Sequence, residues 1–178
     1  MKKIHPIELN SMIIKEEEFD FIFSEIKKKL NKDIKGIKKI YQATIDGAEP
    51  INFHSKSDNI PNTLTLIKSA GNKRIGGFTS STWDSSNKYK SDKNAFIFSI
   101  ESHNIYNACH SDNAIYCGNK YGPIFGNGFD IWVEGNALNN QGLTTYSAIY
   151  GHKGEFLEVY YPKFTKALEI ETFQILLF

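Results

Sequence analysis

The sequence is poor in cysteine and arginine and has no long apolar run. Its two cysteines, Cys109 and Cys117, cannot build a disulfide framework, which excludes the small disulfide-rich secreted domains. Charged residues interrupt residues 1–30, where a secretory signal needs an apolar segment of about 7–15 residues, and no stretch approaches the roughly 18 apolar residues of a membrane span. We therefore expect a cytoplasmic protein without membrane insertion.

Basic and acidic residues are nearly balanced. Lysine and arginine together number 21 against 20 aspartates and glutamates, and Arg74 is the only arginine. A chain without a strong positive field has no electrostatic reason to bind nucleic acid or a membrane surface. A length of 178 residues suits one domain with a substantial core and argues against a second full domain.

One segment near the N-terminus has helical periodicity. Apolar residues recur at helical spacing within residues 14–30, where three glutamates at 16–18 precede three lysines at 27–29. This pattern predicts a long N-terminal helix with an apolar stripe docked on the core and a solvated outer face. We accordingly divide the chain into an N-terminal helical segment, residues 1–36, packed on a domain of residues 37–178.

Beyond this helix the pattern changes to that of short strands. Leucines and threonines alternate over residues 63–66, as in a half-buried strand, and a Gly-Asn turn at 71–72 leads into the next strand. Pro50 is placed to begin a short helix. Further strand candidates are residues 94–102, 113–118, 129–135, 154–161 and 168–178. Many short strands with few helices predict a mostly β, α+β fold built as an antiparallel sandwich or barrel.

Two polar segments, residues 80–94 and 135–154, have weak periodicity and are predicted to be surface loops between core strands. The second is long for a structureless connection, so it is the expected place for variable recognition, with plain surface irregularity as the alternative. Trp83, Asn139 and Asn140 are then candidates for an exposed contact with a partner.

The glycine-rich residues 122–128, GPIFGNG, match no phosphate-binding motif. Their spacing fits neither G-x-G-x-x-G nor G-x-x-x-x-G-K-[ST], and no helix is expected to follow them. We therefore predict that these glycines shape a tight connection between strands, and we expect no nucleotide or other cofactor.

Four potential metal ligands, His103, Cys109, His110 and Cys117, lie close together in the sequence. Imidazole and thiolate are good zinc ligands, but structural zinc sites usually bring them in pairs about two to four residues apart. The spacing here differs, so no metal site is expected. Cys117 lies in an apolar run and is predicted to be a small buried hydrophobic residue.

Asp130, Glu169 and Glu171 are the candidate catalytic residues. Each lies among apolar residues of a predicted strand, so it points into the interior or toward solvent depending on register. Buried carboxylates with raised pKa values could act as general acid and base. The residues themselves favour the alternative of a hydrogen-bonded structural aspartate and solvent-facing glutamates.

Several landmarks occur in a recognisable order over roughly residues 37–177. They are Gly76-Gly77-Phe78-Thr79 followed by Trp83, DKNAFIFSI at residues 92–100, Gly122-Pro123 with Phe125-Gly126, Gly128-Phe129-Asp130-Ile131, and Glu169-Ile170-Glu171. Together they resemble the TLDc domain of the oxidation resistance proteins. Ser57 stands where protozoan members often have cysteine, which argues against a redox role at that position.

The resemblance implies a two-sheet antiparallel β-sandwich with a few short flanking helices. It further implies an interaction domain linked to oxidative-stress protection, with the peripheral subunits of the vacuolar proton ATPase as partner and regulation of their assembly as its role. That partner would bring the chain to vacuolar or endosomal membranes. The family supplies no catalytic residue or cofactor. The motif residues expected to matter mainly for shape are Gly76, Gly77, Trp83, Gly122, Phe125, Gly126, Gly128 and Asp130.

Two other functions remain open at this point. One is a hydrolase-like or peroxide-handling enzyme that uses the three carboxylates or the thiols of Cys109 and Cys117. The other is a self-associating scaffold in which the apolar residues 175–178 extend a sheet edge, although these residues could equally complete a core strand.

Overall fold

The computed structural model describes residues 10–108, 110–127, 130–139, 142–145 and 165–178. Within these residues the chain forms two antiparallel sheets and few helices, which confirms the mostly β prediction. The α-helices are α1 (Asp20–Leu30), α2 (Ala43–Asp46) and α3 (Pro50–Ser57). The strands are β1 (Ile34–Gln42), β2 (Thr63–Ser69), β3 (Arg74–Thr79), β4 (Tyr89–Lys90), β5 (Phe96–Ser99), β6 (Asn104–Asn107), β7 (Ile115–Tyr116), β8 (Tyr121–Phe125), β9 (Ile131–Glu134), β10 (Leu143–Thr145) and β11 (Ala167–Leu177).

The first sheet has six strands in the order β1-β11-β2-β3-β5-β6, and the second has five in the order β10-β9-β8-β7-β4. The hairpin between β2 and β3 forms at the predicted Gly-Asn turn, where Asn72 adopts φ of 58°. Pro50 begins α3, because its fixed φ suits the first helical position. The predicted boundary between residues 36 and 37 falls inside β1.

Both faces of the six-stranded sheet are covered. Leu64 and Leu66 belong to a core cluster shared with α1, while Ile67 belongs to a second cluster that includes residues of the five-stranded sheet. The expectation of a half-buried strand at residues 63–66 was therefore wrong, since Thr63 and Thr65 are also fully buried. The periodicity correctly indicated a strand, but only tertiary packing decides whether its second face is covered.

The long N-terminal helix is not confirmed. A 3-10 turn at Glu16–Glu18 precedes α1, which has 11 residues and ends where Asn31 adopts the left-handed conformation. Ile22 and Ile26 of α1 are fully buried against the outer face of the six-stranded sheet. No helix among the described residues is long and apolar enough to cross a membrane.

The two predicted loops contain more order than expected. Residues 80–94 include β4 and residues 135–154 include β10, which pairs with β9. Residues 122–125, predicted as part of a glycine-rich connection, belong to β8, and the turn that follows begins at Gly126. The strand predicted at 154–161 lies outside the described residues.

Candidate functional site

Asp130 is fully buried in the connection between β8 and β9. Its carboxylate lies directly against Gly126, where an added Cβ would come within 1.9 Å of Asp130 Oδ2. Gly126 also has φ of 85°, a conformation that side chains rarely tolerate. The absence of a side chain at Gly126 therefore leaves the space that the Asp130 carboxylate occupies. The neighbouring motif residue Gly128 lies outside the described residues.

Glu171 lies on β11 and is completely buried. Lys39 Nζ donates to Glu171 Oε1 at 2.6 Å, and the backbone N–H of Met12 donates to the same oxygen at 3.0 Å. The hydroxyl of Ser11 donates to Oε2 at 2.5 Å. A buried carboxylate needs hydrogen-bond donors, and two of those at Glu171 come from Ser11 and Met12, so Glu171 ties the segment preceding α1 to the sheet.

Glu169 is two residues away on the same strand and is also buried. Gln42 Nε2 donates to its Oε2 at 3.0 Å, the backbone N–H of Thr44 donates to Oε1 at 3.1 Å, and the Thr44 hydroxyl donates to Oε2. The N–H of Ile170 also contacts Oε1 at 3.0 Å. Glu169 thereby fixes the junction between β1 and α2 onto β11.

The structure thus brings two of the three candidate carboxylates together and separates the third. Glu169 and Glu171 are neighbours on the six-stranded sheet, where both receive donors from the N-terminal part of the chain. Asp130 precedes β9 of the other sheet. The two glutamates have their oxygens occupied by structural donors, so this arrangement does not resemble an acid and base flanking a substrate.

The thiol of Cys117 is also shielded from solvent. Cys117 is fully buried, its Sγ–H points to the Thr82 carbonyl oxygen at 3.9 Å, and burial raises the pKa of the Cys117 thiol to about 12. A nucleophilic cysteine needs the opposite shift. Cys109 lies outside the described residues, and His103 packs against the ring of Phe21. Within the described part of the chain, no group of three or more His, Cys, Asp or Glu side chains could hold a metal ion.

Trp83 is fully buried, so its expected exposure on a loop was wrong. Its ring packs edge-on against Phe53 at 5.5 Å and Phe125 at 5.6 Å, and its Nε1–H donates to Thr63 Oγ1 at 3.0 Å. These contacts join α3, β2 and β8. The other described glycine and aromatic motif positions are also buried: Gly76, Gly77, Gly122, Phe125 and Gly126.

Asp92 is a buried carboxylate that the sequence reading did not single out. It accepts hydrogen bonds from the hydroxyls of Thr79 and Ser80 at 2.7 Å and from the backbone N–H of Ser80 at 2.6 Å. The N–H of Asn94 adds a fourth donor at 2.9 Å. The order of an aspartate two residues before an asparagine, ahead of a strand, is the turn signal that could have indicated it.

The buried His54 and the partly buried Asp58 form a second polar group that sequence reasoning missed. His54 Nδ1 lies 2.7 Å from Asp58 Oδ1, and His54 Nε2 lies 3.1 Å from the Gly118 carbonyl oxygen and 3.0 Å from that of Tyr121. Ser85 donates to Asp58 rather than contacting the histidine, so the three side chains are not in the order of a catalytic triad. The four-residue spacing between His54 on α3 and Asp58, which directly follows this helix, was the available signal.

Comparison with known proteins identifies a family whose model covers nearly the whole chain. The TLDc domain model matches residues 7–175. A comparison with curated proteins finds no relative that matches the chain. The match spans both sheets and the segment that Glu171 holds in place. The chain therefore belongs to the TLDc domain family.

Proposed function

We propose that this TLDc domain is a non-enzymatic protein-interaction domain linked to oxidative-stress protection, and that its partner is the peripheral part of the vacuolar proton ATPase, whose assembly it regulates. One observation supports the proposal: the carboxylate oxygens of Glu169 and Glu171 are occupied by hydrogen bonds from the protein itself. Glu169 binds the start of α2 and Glu171 binds the chain preceding α1, whereas Asp130 is buried against Gly126. Membership of the TLDc family supports the link to oxidative stress.

The proposed framework is a β-sandwich in which the two sheets face each other. Phe125 of the five-stranded sheet packs against Gly77 of the six-stranded sheet, and one core cluster contains residues of both. Such a framework presents loops and outer sheet faces to a partner. The domain would act in the cytoplasm and reach vacuolar or endosomal membranes through its partner.

The test is recovery of purified peripheral ATPase subunits by the tagged domain. We expect selective recovery, and we expect Glu169→Gln to retain it wherever circular dichroism shows an intact fold, because this glutamate does not face solvent. Asn139 is exposed after β9, so Asn139→Lys examines the loop contact predicted from the sequence. Failure of the folded wild-type domain to recover any subunit would contradict the proposed partner.

The enzymatic alternative is tested in parallel. The folded domain is assayed against peroxides and ester substrates, and any turnover is compared with that of Asp130→Asn, Glu169→Gln and Glu171→Gln. We expect no turnover that depends on these side chains. Turnover lost in one of these variants, with the fold intact, would replace the interaction proposal with an enzymatic one.

A further inference from the structure

Met12 presents its thioether to solvent in the segment that precedes α1. The residue is 69% exposed, whereas Cys117, the other described residue that contains sulfur, is 0% exposed. Met12 is the only methionine among the described residues, and Met1 and Cys109 lie outside them. Because oxidation of a side chain requires contact between its sulfur and the oxidant, Met12 is the described sulfur that a dissolved oxidant reaches.

The backbone of Met12 is held in place although its side chain is exposed. Its N–H donates to Glu171 Oε1 at 3.0 Å, and the two residues that follow it, Ile13 and Ile14, are buried. Ser11 Oγ accepts from the N–H groups of Ile13 and Ile14 at 3.1 Å and 3.2 Å. The thioether is therefore attached to a fixed point at the edge of the six-stranded sheet.

The sulfur of Met12 accepts a hydrogen bond from the side chain of Gln42, with 3.1 Å between Sδ and Nε2. Charged groups fix which end of this buried carboxamide carries the N–H groups. Lys39 Nζ, which can only donate, lies 2.8 Å from Gln42 Oε1, and a carboxylate oxygen of Glu169 lies 3.0 Å from Nε2. One N–H of Gln42 thus serves Glu169, and the other points to Met12, with Thr44 Oγ1 next at 3.3 Å.

This hydrogen bond makes the two lone pairs of the sulfur unequal. Oxidation at one lone pair gives one sulfoxide epimer, and oxidation at the other gives the second epimer. The 3.1 Å between Gln42 Nε2 and Met12 Sδ leaves no room for an oxygen between them, since an N–H···O hydrogen bond alone takes about 2.9 Å. The lone pair that faces away from Gln42 is the one that an oxidant can approach.

We propose that Met12 is a site of reversible oxidation by hydroperoxides, and that oxygen is added at the lone pair facing away from Gln42. The sulfur lone pair attacks the outer peroxide oxygen, so that an S–O bond forms and the O–O bond breaks. The sulfur is oxidised by two electrons and the peroxide is reduced to water or an alcohol, as the proton of the transferred oxygen passes to the leaving oxygen. One sulfoxide epimer forms in excess, and the reductase specific for that epimer restores the thioether.

Gln42 connects this modification to the interior. The new oxygen withdraws electron density from the sulfur, which then accepts hydrogen bonds poorly, so the N–H of Gln42 loses its bond to Met12. Thr44 Oγ1, at 3.3 Å, becomes the acceptor for that hydrogen. The oxidation state of Met12 is therefore sensed by the hydrogen bonds that join β1 and α2 to Glu169 on β11.

The proposal goes beyond the function as an interaction domain and does not depend on it. Each chain consumes one equivalent of peroxide at Met12, so the reaction is a modification of the protein and not catalytic turnover. A domain that recovers no ATPase subunit would still be oxidised at this residue.

Hydrogen peroxide is the probe, and tryptic mapping locates the added oxygen. Cleavage after Lys3 and Lys15 releases residues 4–15, which contain Met12 but neither Met1 nor a cysteine. In the folded full chain this peptide should gain one oxygen at about half the rate found in urea, because one of two lone pairs is covered. A rate more than about tenfold below that in urea would show that the sulfur is shielded and would overturn the proposal.

The two methionine sulfoxide reductases, each specific for one epimer, measure the stereochemistry. The chain is oxidised in its folded state, and the purified peptide of residues 4–15 is divided between the two enzymes. We expect one enzyme to reduce about three-quarters or more of the sulfoxide, whereas peptide from a chain oxidised in urea should divide about equally. Equal division after oxidation of the folded chain would contradict the approach from one side.

Variants at the amide test its role. Gln42→Leu removes the donor at similar volume, and wherever circular dichroism shows an intact fold, the excess of one epimer should disappear. Thr44→Val is the matched control, because it removes a hydroxyl beside the same amide and leaves the contact with Met12 in place. An excess of one epimer that persists in folded Gln42→Leu would overturn the proposed role of Gln42.

The wild-type protein supplies a second readout that holds even where Gln42→Leu fails to fold. In isotope-labelled protein, peroxide should shift the side-chain amide resonances of Gln42, while those of the exposed Asn139 should stay in place. In Met12→Leu, peroxide should leave both residues unchanged. Complete oxidation of Met12 without a shift at Gln42, or a shift that persists in Met12→Leu, would contradict the connection between them.

Discussion

Phe125 packs its ring against the backbone of Gly77, where an added Cβ would lie 2.6 Å from the ring. The two residues belong to different sheets, so this contact sets how closely the sheets approach. It explains why a glycine stands in the middle of β3, where any side chain would have to displace a fully buried aromatic ring.

Gly77→Ala should therefore destabilise the fold by about 1–3 kcal/mol, because overpacking forces Phe125 out of its position. Urea unfolding monitored by tryptophan fluorescence measures the loss, since Trp83 packs on Phe125. Gly71→Ala is the matched control, as the nearest atom to its added Cβ would be 3.7 Å away. A loss at Gly77 no larger than at Gly71 would contradict the close contact between the sheets.

Glu18 gives the fold a specific sensitivity to acid. Arg74 Nη1 and Nη2 each donate to a Glu18 carboxylate oxygen at 2.8 Å, and these hydrogen bonds lower the pKa of Glu18 to about 2. Because the folded-state pKa is below the unfolded value, the stabilisation is present above about pH 4.5 and is lost as the pH falls toward 2.

We expect Glu18→Gln to lower the free energy of unfolding by about 1–2 kcal/mol at pH 7 and by much less near pH 2. The measurement is urea unfolding of both proteins across this range. Glu17→Gln is the control, because its exposed side chain has no such partner among the described residues. A difference between wild type and Glu18→Gln that stays constant with pH would show that the Arg74 contact does not depend on the charge of Glu18.

Many of the strands could be predicted from local sequence patterns. The hairpin at 71–72 and the start of α3 at Pro50 follow from turn chemistry and a fixed φ, which depend only on neighbouring residues. β1 was missed because it is an edge strand with exposed lysines and two irregularities in its pairing with β11, so no clean alternation survives. β8 was not predicted as a strand because it contains a glycine and a proline, which usually mark turns.

The candidate site was harder to predict because burial and partners are tertiary properties. Trp83 follows a polar run, yet Phe53 and Phe125 enclose it from other elements. For Glu169 the decisive feature is an irregularity in the pairing of β11 with β2 between Ala167 and Glu169, which changes the register expected from simple alternation. No single-sequence pattern reveals that Ser11 would supply a donor to Glu171.

The thiol of Cys117 should not react with alkylating reagents in the folded protein. Burial raises the pKa of its thiol to about 12, so it stays protonated at neutral pH, and the residue has no exposed surface. In a Cys109→Ser background, iodoacetamide labelling measured by mass spectrometry should be negligible in buffer and complete in urea. Rapid labelling of the folded protein would contradict this and reopen a peroxide-handling role for the thiol.

Glu171 should hold the segment that precedes α1 onto the six-stranded sheet. Removing the Glu171 carboxylate leaves the largely buried Lys39 without its partner in the ion pair. It also deprives Ser11 and Met12 of their hydrogen-bond acceptor. Breaking one side of a buried ion pair typically costs about 3–5 kcal/mol, so Glu171→Ala should destabilise strongly. Glu171→Gln, which retains an acceptor oxygen, should cost less.

The distinguishing measurement is native-state hydrogen exchange, because global stability alone cannot locate the effect. In Glu171→Gln, protection should fall first at Met12, whose N–H bonds the carboxylate, and in the adjoining buried residues Ile13 and Ile14, while β2 and β3 keep theirs. Leu168→Ala, at an exposed position of the same strand, should change neither region. Uniform loss of protection would mean that the N-terminal segment and the sheet unfold as one unit, and that Glu171 supports the whole domain rather than fastening that segment.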